Sequence, residues 1–325
     1  MKYIFVINPG SGKRRKQVRL LNNIEAAVRK MGVCHEIYYT AAEKDGERYV
    51  RELCERNAAS ENRQKLRIYA CGGDGTINEV VNGAFGYDDV EIGAVPLGTG
   101  NDYIRNYGEA SDFLNIERQL AVETECSDLI SYSAEYDGML TEGYCANMFN
   151  IGFDCNVVDM TSQVKRWPLV GGSLAYLISV AIILIEKKGA DLRIEYEDGT
   201  VLDGRILLIA IANGCFCGGG VKGVPLCQLD DGLMDVSVVK NIGRLLFILL
   251  FPSYSKGTHL EKKKVKDGDV IRYSKEKRLT VTANGESLRL CTDGEITTQK
   301  RVEFGIVRNG FRFIVPRKKL SIAQE

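Results

Sequence analysis

The sequence predicts an α/β protein in which a doubly wound, parallel sheet is followed by a mainly β, sandwich-like part with helical insertions. Strand-like and helical stretches alternate over residues 1–107, and glycine-rich turns follow three of the strands. From about residue 124 strand-like runs follow one another with only two obvious helical stretches between them. We therefore predict a first domain over 1–123 and a second over 124–325, whose last strand is able to pack back on the first domain.

The alternation in the first part has a regular order. Apolar residues at helical spacing separate short runs rich in strand-forming residues. A parallel connection between neighbouring strands needs a crossover helix, so this order implies a parallel sheet. The elements are strand KYIFVI, helix QVRLLNNIEAAVRKM, strand HEIYYT, helix GERYVRELCERNA, strand LRIYAC, a short helix after a glycine turn, and strand EIGAVPL. In the second part the clearest strand-like runs are RILLIAIAN, MDVSVVK and RLTVTAN.

Charge and cysteine content exclude several classes of function. The chain has 43 Lys plus Arg and 43 Asp plus Glu, so no overall positive field attracts nucleic acid, and we expect no nucleic-acid partner. The ten cysteines contain no CxxC pair, and the two histidines are far apart in sequence. The sequence therefore indicates neither a zinc site nor a haem attachment site.

Targeting and membrane-spanning signals are also weak. The first strand-like run stops at Asn8 and Pro9, which favours a strand over a secretory signal. We therefore expect a cytoplasmic location. Two strongly apolar stretches, 174–185 and 245–251, are shorter than the roughly 18 to 20 residues that span a bilayer, and we interpret them as buried helices with surface docking as the alternative.

Two glycine-rich turns point to phosphate chemistry. In CGGDGT (71–76) the glycines allow backbone N–H groups to approach a phosphate at the start of a helix. Asp74 would repel a phosphate directly, but it suits a divalent cation that lies between them. GTGND (98–102) repeats the pattern one strand later. A single such aspartate can simply cap a helix, but two such loops at neighbouring strand ends favour a nucleotide site.

A third loop, NPGSGK (8–13), follows the first strand. It is not a Walker P-loop, because that motif needs glycine where Ile7 stands and serine or threonine where Arg14 stands. It can still offer backbone donors and side-chain hydroxyls to a nucleotide. None of the three loops fits the dinucleotide pattern GxGxxG.

Together these motifs resemble the diacylglycerol kinase catalytic-domain family, above all the soluble bacterial lipid kinases, with sphingosine and ceramide kinases as relatives. The resemblance rests on NPGSG, GGDGTINEVVNG and PLGTGND, and continues through FNIGFD (149–154), GGGVKGVPLCQLDDGLMDV (218–236) and TDGE (292–295). It implies a nucleotide-binding domain and a β-sandwich-like domain, with ATP and lipid meeting between them. Its implied cofactors are ATP and Mg²⁺.

The resemblance also assigns residues. The positions that match ATP contacts are Asn8, Pro9, Gly10, Ser11, Gly12, Thr40, Gly72, Gly73, Asp74, Gly75, Thr76, Ile77, Asn78 and Thr99. Asp74, Asp102 and Asp128 match acidic positions linked through water to the active-site Mg²⁺, and for Asp128 a solvated strand edge is the alternative. Gln228, Asp231 and Leu233 match a structural Mg²⁺ site, although an ordinary Asp-Gly turn explains that segment as well.

Transfer of a phosphoryl group to an alcohol also needs an acceptor for the hydroxyl proton. The candidates are Asp293 and Glu295, because i, i+2 spacing in an extended segment would place both on one face, and the family's base maps to this motif. We predict Asp293 as the base, with Glu295 supporting it or taking that role, and a simple turn between strands as the alternative.

The function predicted from the sequence is an ATP- and Mg²⁺-dependent lipid kinase of phospholipid metabolism that visits the inner membrane surface and phosphorylates a lipid hydroxyl, most simply that of diacylglycerol. The alternatives are a kinase of a soluble alcohol, as in NAD kinases, and a non-catalytic lipid or nucleotide binder on a kinase scaffold. The sequence does not select the lipid and does not choose between a monomer and a homodimer.

Overall fold

The computed structural model describes residues 1–153, 189–266 and 270–316. The apolar stretch 174–185 therefore lies outside the described residues. The chain forms two compact units, of which one contains Met1–Ser127 and the described residues 311–316, and the other contains Asp128–Gly310. The boundary predicted from the sequence, between residues 123 and 124, lies close to the boundary between Ser127 and Asp128. The prediction assigned the end of the chain to the second domain, whereas residues 311–316 belong to the first unit.

The first unit is a parallel sheet with helices between its strands, as the alternation predicts. Its strand order is β4, β3, β1, β2, and the end of a long final strand, β15, lies parallel to β4. The elements are β1 (Lys2–Ile7), α1 (Arg14–Met31), β2 (His35–Tyr39), α2 (Asp45–Ala58), β3 (Leu66–Gly72), α3 (Asp74–Ala84), β4 (Val90–Pro96) and α4 (Ile116–Ala121), with 3-10 turns at Tyr103–Asn106 and Asp112–Leu114.

The core of this unit follows from the apolar spacing of its strands and helices. All residues of β3 and β4 are buried, which is expected of central parallel strands covered on both faces. Helix α1 buries Leu20, Ile24 and Val28 at helical spacing, and it ends at Gly32, whose φ of 63° suits a left-handed C-cap.

Antiparallel strands make up most of the described residues of the second unit. Paired strands follow the order β14, β13, β7, β9, β8, β12, β15, while β10 pairs with β9 and β11, and β5 with β6. The strands are β5 (Thr124–Tyr136), β6 (Met139–Cys145), β7 (Met148–Gly152), β8 (Ala190–Tyr196), β9 (Val201–Ala212), β10 (Met234–Lys240), β11 (Ile271–Glu276), β12 (Arg278–Ala283), β13 (Leu288–Thr292), β14 (Glu295–Gln299) and β15 (Arg301–Ile314). The described helices are α5 (Arg244–Ser255) and the short α6 (Lys263–Lys266), with a 3-10 turn at His259–Glu261 between them.

The inward-facing side chains of these strands form one apolar core that includes Phe149, Ile209, Val236 and Val281. The stretch 245–251 lies within α5, so the predicted helix is confirmed, but its predicted burial is wrong, because no residue of α5 is buried. No helix in the described part of the chain has the length and apolar character needed to cross a bilayer.

Candidate active site

The loops singled out in the first part of the sequence lie at one edge of its sheet. Strands β1, β2, β3 and β4 run parallel and end at Ile7, Tyr39, Gly72 and Pro96, so the residues that follow them share the carboxyl edge. This is where open α/β sheets bind their ligands. The predicted nucleotide contacts placed at this edge or in the first turns of α3 are Asn8, Pro9, Gly10, Ser11, Gly12, Thr40, Gly72, Gly73, Asp74, Gly75, Thr76, Ile77, Asn78 and Thr99.

Asn8 joins the first loop to the second. Its backbone N–H donates to the carbonyl of Cys71 at 3.1 Å, and its side-chain amide donates to the hydroxyl of Thr76 at 3.4 Å. Its side-chain oxygen accepts the N–H of Gly10 at 2.8 Å. Asn8 therefore sets the shape of its own turn and holds that turn against the start of α3.

Close backbone contacts explain two of the glycines. Gly12 has a φ of +75°, and a Cβ at that position would lie 2.7 Å from the carbonyl oxygen of Leu97. At Gly98 a Cβ would lie 2.8 Å from Cα of Gly73. A side chain at either position would push the neighbouring loops apart, so these glycines keep the three loops in contact.

Asp74 and Asp102 converge beside Gly100. A Cβ at Gly100 would lie 3.2 Å from a carboxylate oxygen of each aspartate. The other oxygen of Asp74 accepts the backbone N–H of Tyr103 at 3.0 Å, which fixes the orientation of its carboxylate. The guanidinium of Arg105 lies 3.5 Å from Asp102 and is the neighbouring positive charge. The sequence motifs GGDGT and GTGND thus place two carboxylates at one position.

The environment of Asp74 disfavours the charged form of its carboxyl group. Burial raises the pKa of Asp74, while backbone N–H groups, including that of Tyr103, oppose the shift by stabilising the anion. A buried carboxylate with a raised pKa beside a second carboxylate is typical of a site that binds a cation.

The remaining predicted contacts in this unit differ in exposure. Thr40 is buried, and its backbone N–H donates to the carbonyl of Ile7. Ile77 is also buried and belongs to the packing of α3, whereas Thr99 is exposed at the tip of its loop. The side-chain and backbone oxygens of Asn78 both accept from Asn82 one turn later.

Glu79 is a residue of this edge that the sequence analysis missed. Its carboxylate accepts the backbone N–H groups of Lys44 at 3.1 Å and Gly46 at 2.9 Å, and so holds the loop after Thr40 against α3. Burial raises the pKa of Glu79 in spite of these hydrogen bonds. Its place within GGDGTINEVVNG was the available signal, but nothing in the sequence identified its partners.

Asp128 begins the second unit, and its partners there are backbone amides. Its carboxylate accepts the N–H of Gly232 at 2.6 Å and that of Asn309 at 2.7 Å. Its own N–H donates to the carbonyl of Leu229. The solvated strand edge considered as an alternative is wrong, because Asp128 is fully buried. It holds the turn around Gly232 against the beginning of β5.

The proposed structural cation site contains an ion pair. One carboxylate oxygen of Asp231 accepts the N–H of Leu233 at 3.0 Å, and the other accepts the ammonium of Lys275 at 2.6 Å. The same ammonium lies 3.3 Å from Asp235, which is fully buried and also accepts from Tyr273. Gln228 is exposed in the same loop. Lys275 thus supplies a positive charge at the position where a cation would neutralise Asp231 and Asp235.

Asp293 and Glu295 flank a tight turn, so the expectation of an extended segment is wrong. Thr292 pairs with Glu295 across a two-residue hairpin between β13 and β14, and Asp293 and Gly294 both have positive φ, 47° and 99°. This conformation is the one that Asp-Gly favours in a two-residue hairpin. Successive side chains in such a turn do not alternate as they do in a strand, so i, i+2 spacing does not place these two carboxylates on one face.

The two carboxylates have different surroundings. Asp293 accepts the backbone N–H of Met148 at 3.2 Å and the thiol of Cys145 at 3.3 Å, and so ties the hairpin to the junction of β6 and β7. Glu295 is exposed. Burial, followed by the nearby charge of Asp293, raises the pKa of Cys145, which therefore stays a thiol.

An apolar cavity lies beneath α5 in the second unit. Its lining includes Phe153, Leu208, Phe247, Phe251 and His259. His259 is fully buried, and its ring packs against that of Tyr254 with 4.7 Å between the ring centroids. Burial lowers the pKa of His259 to about 4, so the ring is neutral at physiological pH.

Two family models match the chain in sequence. Residues 2–131 match the diacylglycerol kinase catalytic domain. Residues 147–308 match the YegS C-terminal NAD kinase beta sandwich-like domain. A diacylglycerol kinase of Staphylococcus carnosus strain TM300 is 30% identical over 304 residues, which cover 92% of this chain and 90% of the relative. The chain belongs to the diacylglycerol kinase family. It is therefore a lipid kinase by family, as its loop motifs predicted.

Solved structures agree with this fold. A putative diacylglycerol kinase from Bacillus anthracis matches with a TM-score of 0.69 and 20% identity, over 97% of this chain and 96% of that one. Yeast NADH kinase matches with a TM-score of 0.51 and 10% identity, over 97% and 83% of the two chains. The α/β unit followed by a β-sandwich-like unit is thus an arrangement that diacylglycerol kinases and NADH kinase share.

The donors present fit one of the two Mg²⁺ ions that membership in the diacylglycerol kinase family implies. Mg²⁺ is commonly held by one or two carboxylates, with substrate phosphates and water completing its shell, and Asp74 and Asp102 provide such a pair. Among the described residues no three His, Cys, Asp or Glu side chains cluster around one point, which is consistent with a shell completed by substrate. The turn at Asp231 fits a second ion less well, because Lys275 already neutralises its carboxylate.

Proposed function

We propose that this kinase transfers the γ-phosphoryl group of ATP, with Mg²⁺, to the hydroxyl of diacylglycerol and so forms phosphatidic acid. The observation that carries the proposal is the convergence of Asp74 and Asp102 beside Gly100, at the edge where three glycine-rich loops meet. Two carboxylates would repel a bare triphosphate, so their position among glycine-rich loops is explained if a cation accompanies the nucleotide.

In this proposal the loops bind the triphosphate through backbone N–H groups. The turns of Gly10–Gly12 and Gly98–Gly100 and the first turn of α3 supply donors, and the N-terminus of α3 adds a favourable dipole for anions. Asp74 and Asp102 would hold Mg²⁺, which supplies neutralisation of the charge on the transferred phosphoryl group. Glu79 keeps the loop after Thr40 in place for the rest of the nucleotide.

Glu295 is the proposed acceptor of the hydroxyl proton. It is exposed at the end of the hairpin, whereas the oxygens of Asp293 accept from the Met148 N–H and the Cys145 thiol. A base must be reachable by its substrate, which favours the exposed Glu295 over Asp293. Asp293 then acts by positioning, because it fixes the turn that presents Glu295.

The apolar features of the second unit support a lipid acceptor. The cavity beneath α5 offers apolar walls of the kind that bind an acyl chain. On its outer side α5 exposes Leu245, Ile248 and Leu249, which are 72%, 53% and 68% exposed and lie at helical spacing. An exposed apolar helix face suits peripheral contact with a membrane, which is where diacylglycerol resides. We therefore place the enzyme in the cytoplasm with transient contact at the inner membrane surface.

The main rival is phosphorylation of a soluble alcohol, as in NAD kinases. The fold alone does not separate the two, since yeast NADH kinase shares it. The cavity and the exposed face of α5 favour the lipid, because a soluble acceptor has no need of either feature.

Phosphoryl transfer from γ-labelled ATP to a panel of acceptors tests the proposal. Diacylglycerol, a sphingoid base and a polyprenol would be offered in mixed micelles, and NAD in solution. We expect label in the chloroform-soluble product of the diacylglycerol reaction. Label on NAD would move the assignment to the soluble-alcohol rival, and ATP binding without transfer to any acceptor would favour a non-catalytic role.

A further inference from the structure

The segment after β9 folds back on itself and brings two distant cysteines together. Cys217 and Val221 form a short antiparallel bridge around Gly218, Gly219 and Gly220, all of which have positive φ. The N–H of Val224 then donates to the carbonyl of Cys215 at 3.4 Å. As a result the chain returns to the residues at which the loop began, and Cys227 lies beside Cys215.

Both thiols of this pair make contacts at the same place. The thiol of Cys215 lies 3.7 Å from the carbonyl oxygen of Cys227, and the thiol of Cys227 lies 3.4 Å from the carbonyl oxygen of Gly214. The side chains of Cys215 and Cys227 are also hydrogen-bonded to each other. Both residues are partly exposed, so a small reagent can reach them.

The surroundings of Cys215 favour its role as the attacking thiolate. The hydrogen bond from Cys227 lowers the pKa of Cys215, and the positive charge of Lys222 acts in the same direction against the effect of burial.

We propose that Cys215 and Cys227 are a dithiol site that hydrogen peroxide oxidises to a reversible disulfide. The Cys215 thiolate attacks one peroxide oxygen, the O–O bond breaks, and Cys215 becomes a sulfenic acid while hydroxide leaves and takes up a proton to form water. The sulfur of Cys227 then attacks the sulfenic sulfur, the S–S bond forms, and the hydroxyl leaves with the proton of Cys227 as a second water. Two thiols are oxidised and one peroxide is reduced.

The other described cysteines lack this combination of features. Cys54, Cys71, Cys145 and Cys291 are buried, Cys34 is exposed in the first unit, and Cys126 is partly exposed in β5. Cys217 lies in the same loop and is partly exposed, which makes it the matched control. The site is independent of the proposed kinase reaction, because none of its residues belongs to the candidate active site.

Peptide mapping of the full-length protein tests the proposal, because trypsin cuts between the two cysteines. Cleavage after Arg205, Lys222 and Lys240 places Cys215 and Cys217 in one peptide, 206–222, and Cys227 in the next, 223–240. After treatment with equimolar hydrogen peroxide and alkylation of free thiols, we expect these peptides to be covalently linked, with the loss of two hydrogens. Dithiothreitol should separate them.

Two variants show which cysteine forms the disulfide with Cys227. Cys217→Ser should retain the linked peptides and Cys215→Ser should lose them, with circular dichroism confirming that both variants are folded. Absence of the linked pair from the oxidised wild-type protein would overturn the proposal, and this outcome needs no variant. Persistence of the pair in Cys215→Ser would overturn it as well, since the bond would then run through Cys217.

Discussion

Asp74 and Tyr103 are joined by a hydrogen bond of 3.0 Å from the backbone N–H of Tyr103 to one oxygen of the Asp74 carboxylate. This bond leaves the second oxygen directed at the position beside Gly100 that Asp102 also approaches. The orientation of Asp74 is thus set by the protein before any cation or nucleotide binds. Such preorganisation reduces the reorganisation required when the substrate arrives.

Asp74→Asn should reduce phosphoryl transfer by about 100-fold or more, because the cation that neutralises the transferred group loses a charged ligand. Asn preserves the acceptor for the Tyr103 N–H, so the fold should be unaffected. Steady-state kinetics over a range of Mg²⁺ concentrations measure the effect. Asp88→Asn, an exposed aspartate of the same unit, is the matched control and should behave as wild type.

The raised pKa of Asp74 predicts a pH dependence of Mg²⁺ binding. A carboxyl group with a raised pKa in the folded protein is protonated at pH values where an ordinary aspartate is ionised, and a proton there competes with the cation. The apparent affinity for Mg²⁺ should therefore fall as pH decreases through a range just above that of an ordinary aspartate. Calorimetric titration with Mg²⁺ and a non-hydrolysable ATP analogue at several pH values measures it. A flat profile would show that Asp74 is ionised throughout.

Glu295→Gln should abolish turnover while ATP affinity stays within about twofold of wild type, because the base acts on the acceptor hydroxyl and not on the nucleotide. Asp293→Asn keeps an acceptor for the Met148 N–H and should retain part of the activity. Single-turnover rates and nucleotide binding separate these effects. If Asp293→Asn were inactive and stably folded while Glu295→Gln turned over normally, Asp293 would be the base.

His259 should make folding stability depend on pH. Its pKa of about 4 in the folded protein lies below the ordinary value of 6.5, so its contribution is present above pH 6.5 and is lost as pH falls towards 4. The loss should be on the order of 2 to 3 kcal/mol. Urea unfolding at pH 7.5 and pH 4.5 should show a smaller decrease for His259→Phe than for wild type. His35→Gln, at an exposed histidine, should leave the decrease unchanged.

Lys275→Met should lower the free energy of unfolding by about 1 kcal/mol, because Asp235 is fully buried and loses its neighbouring positive charge. Lys277→Met, at an exposed lysine two residues further along, between β11 and β12, should have little effect. In the Asp74→Asn variant, which lacks a ligand of the proposed active-site cation, the melting temperature should be the same in EDTA and in Mg²⁺. A large decrease in EDTA would mean that a bound cation, and not Lys275, neutralises this turn.

The sequence was sufficient to predict the first unit, because alternation and helical spacing are local signals and parallel strands bring their loops to one edge. It did not predict partners that come from distant strands. Nothing near Asp231 indicates that Lys275 in β11 pairs with it, and nothing near Glu79 indicates that it holds the backbone at Lys44 and Gly46.

The hairpin at Asp293 was missed for a different reason. Asp-Gly is a strong turn signal, and it favours a hairpin turn over the extended segment that we predicted from the spacing of Asp293 and Glu295. The observed turn separates the surroundings of Asp293 and Glu295, a difference that a sequence pattern does not contain.

The most direct test of the account is the transfer of ³²P from γ-labelled ATP to diacylglycerol in mixed micelles containing Mg²⁺. We expect labelled phosphatidic acid from the wild-type protein, none with EDTA, and a rate lower by about 100-fold or more from Asp74→Asn. Labelled phosphatidic acid at undiminished rate from Asp74→Asn would contradict the assignment of the site, and its absence from the wild-type reaction would contradict diacylglycerol as the substrate.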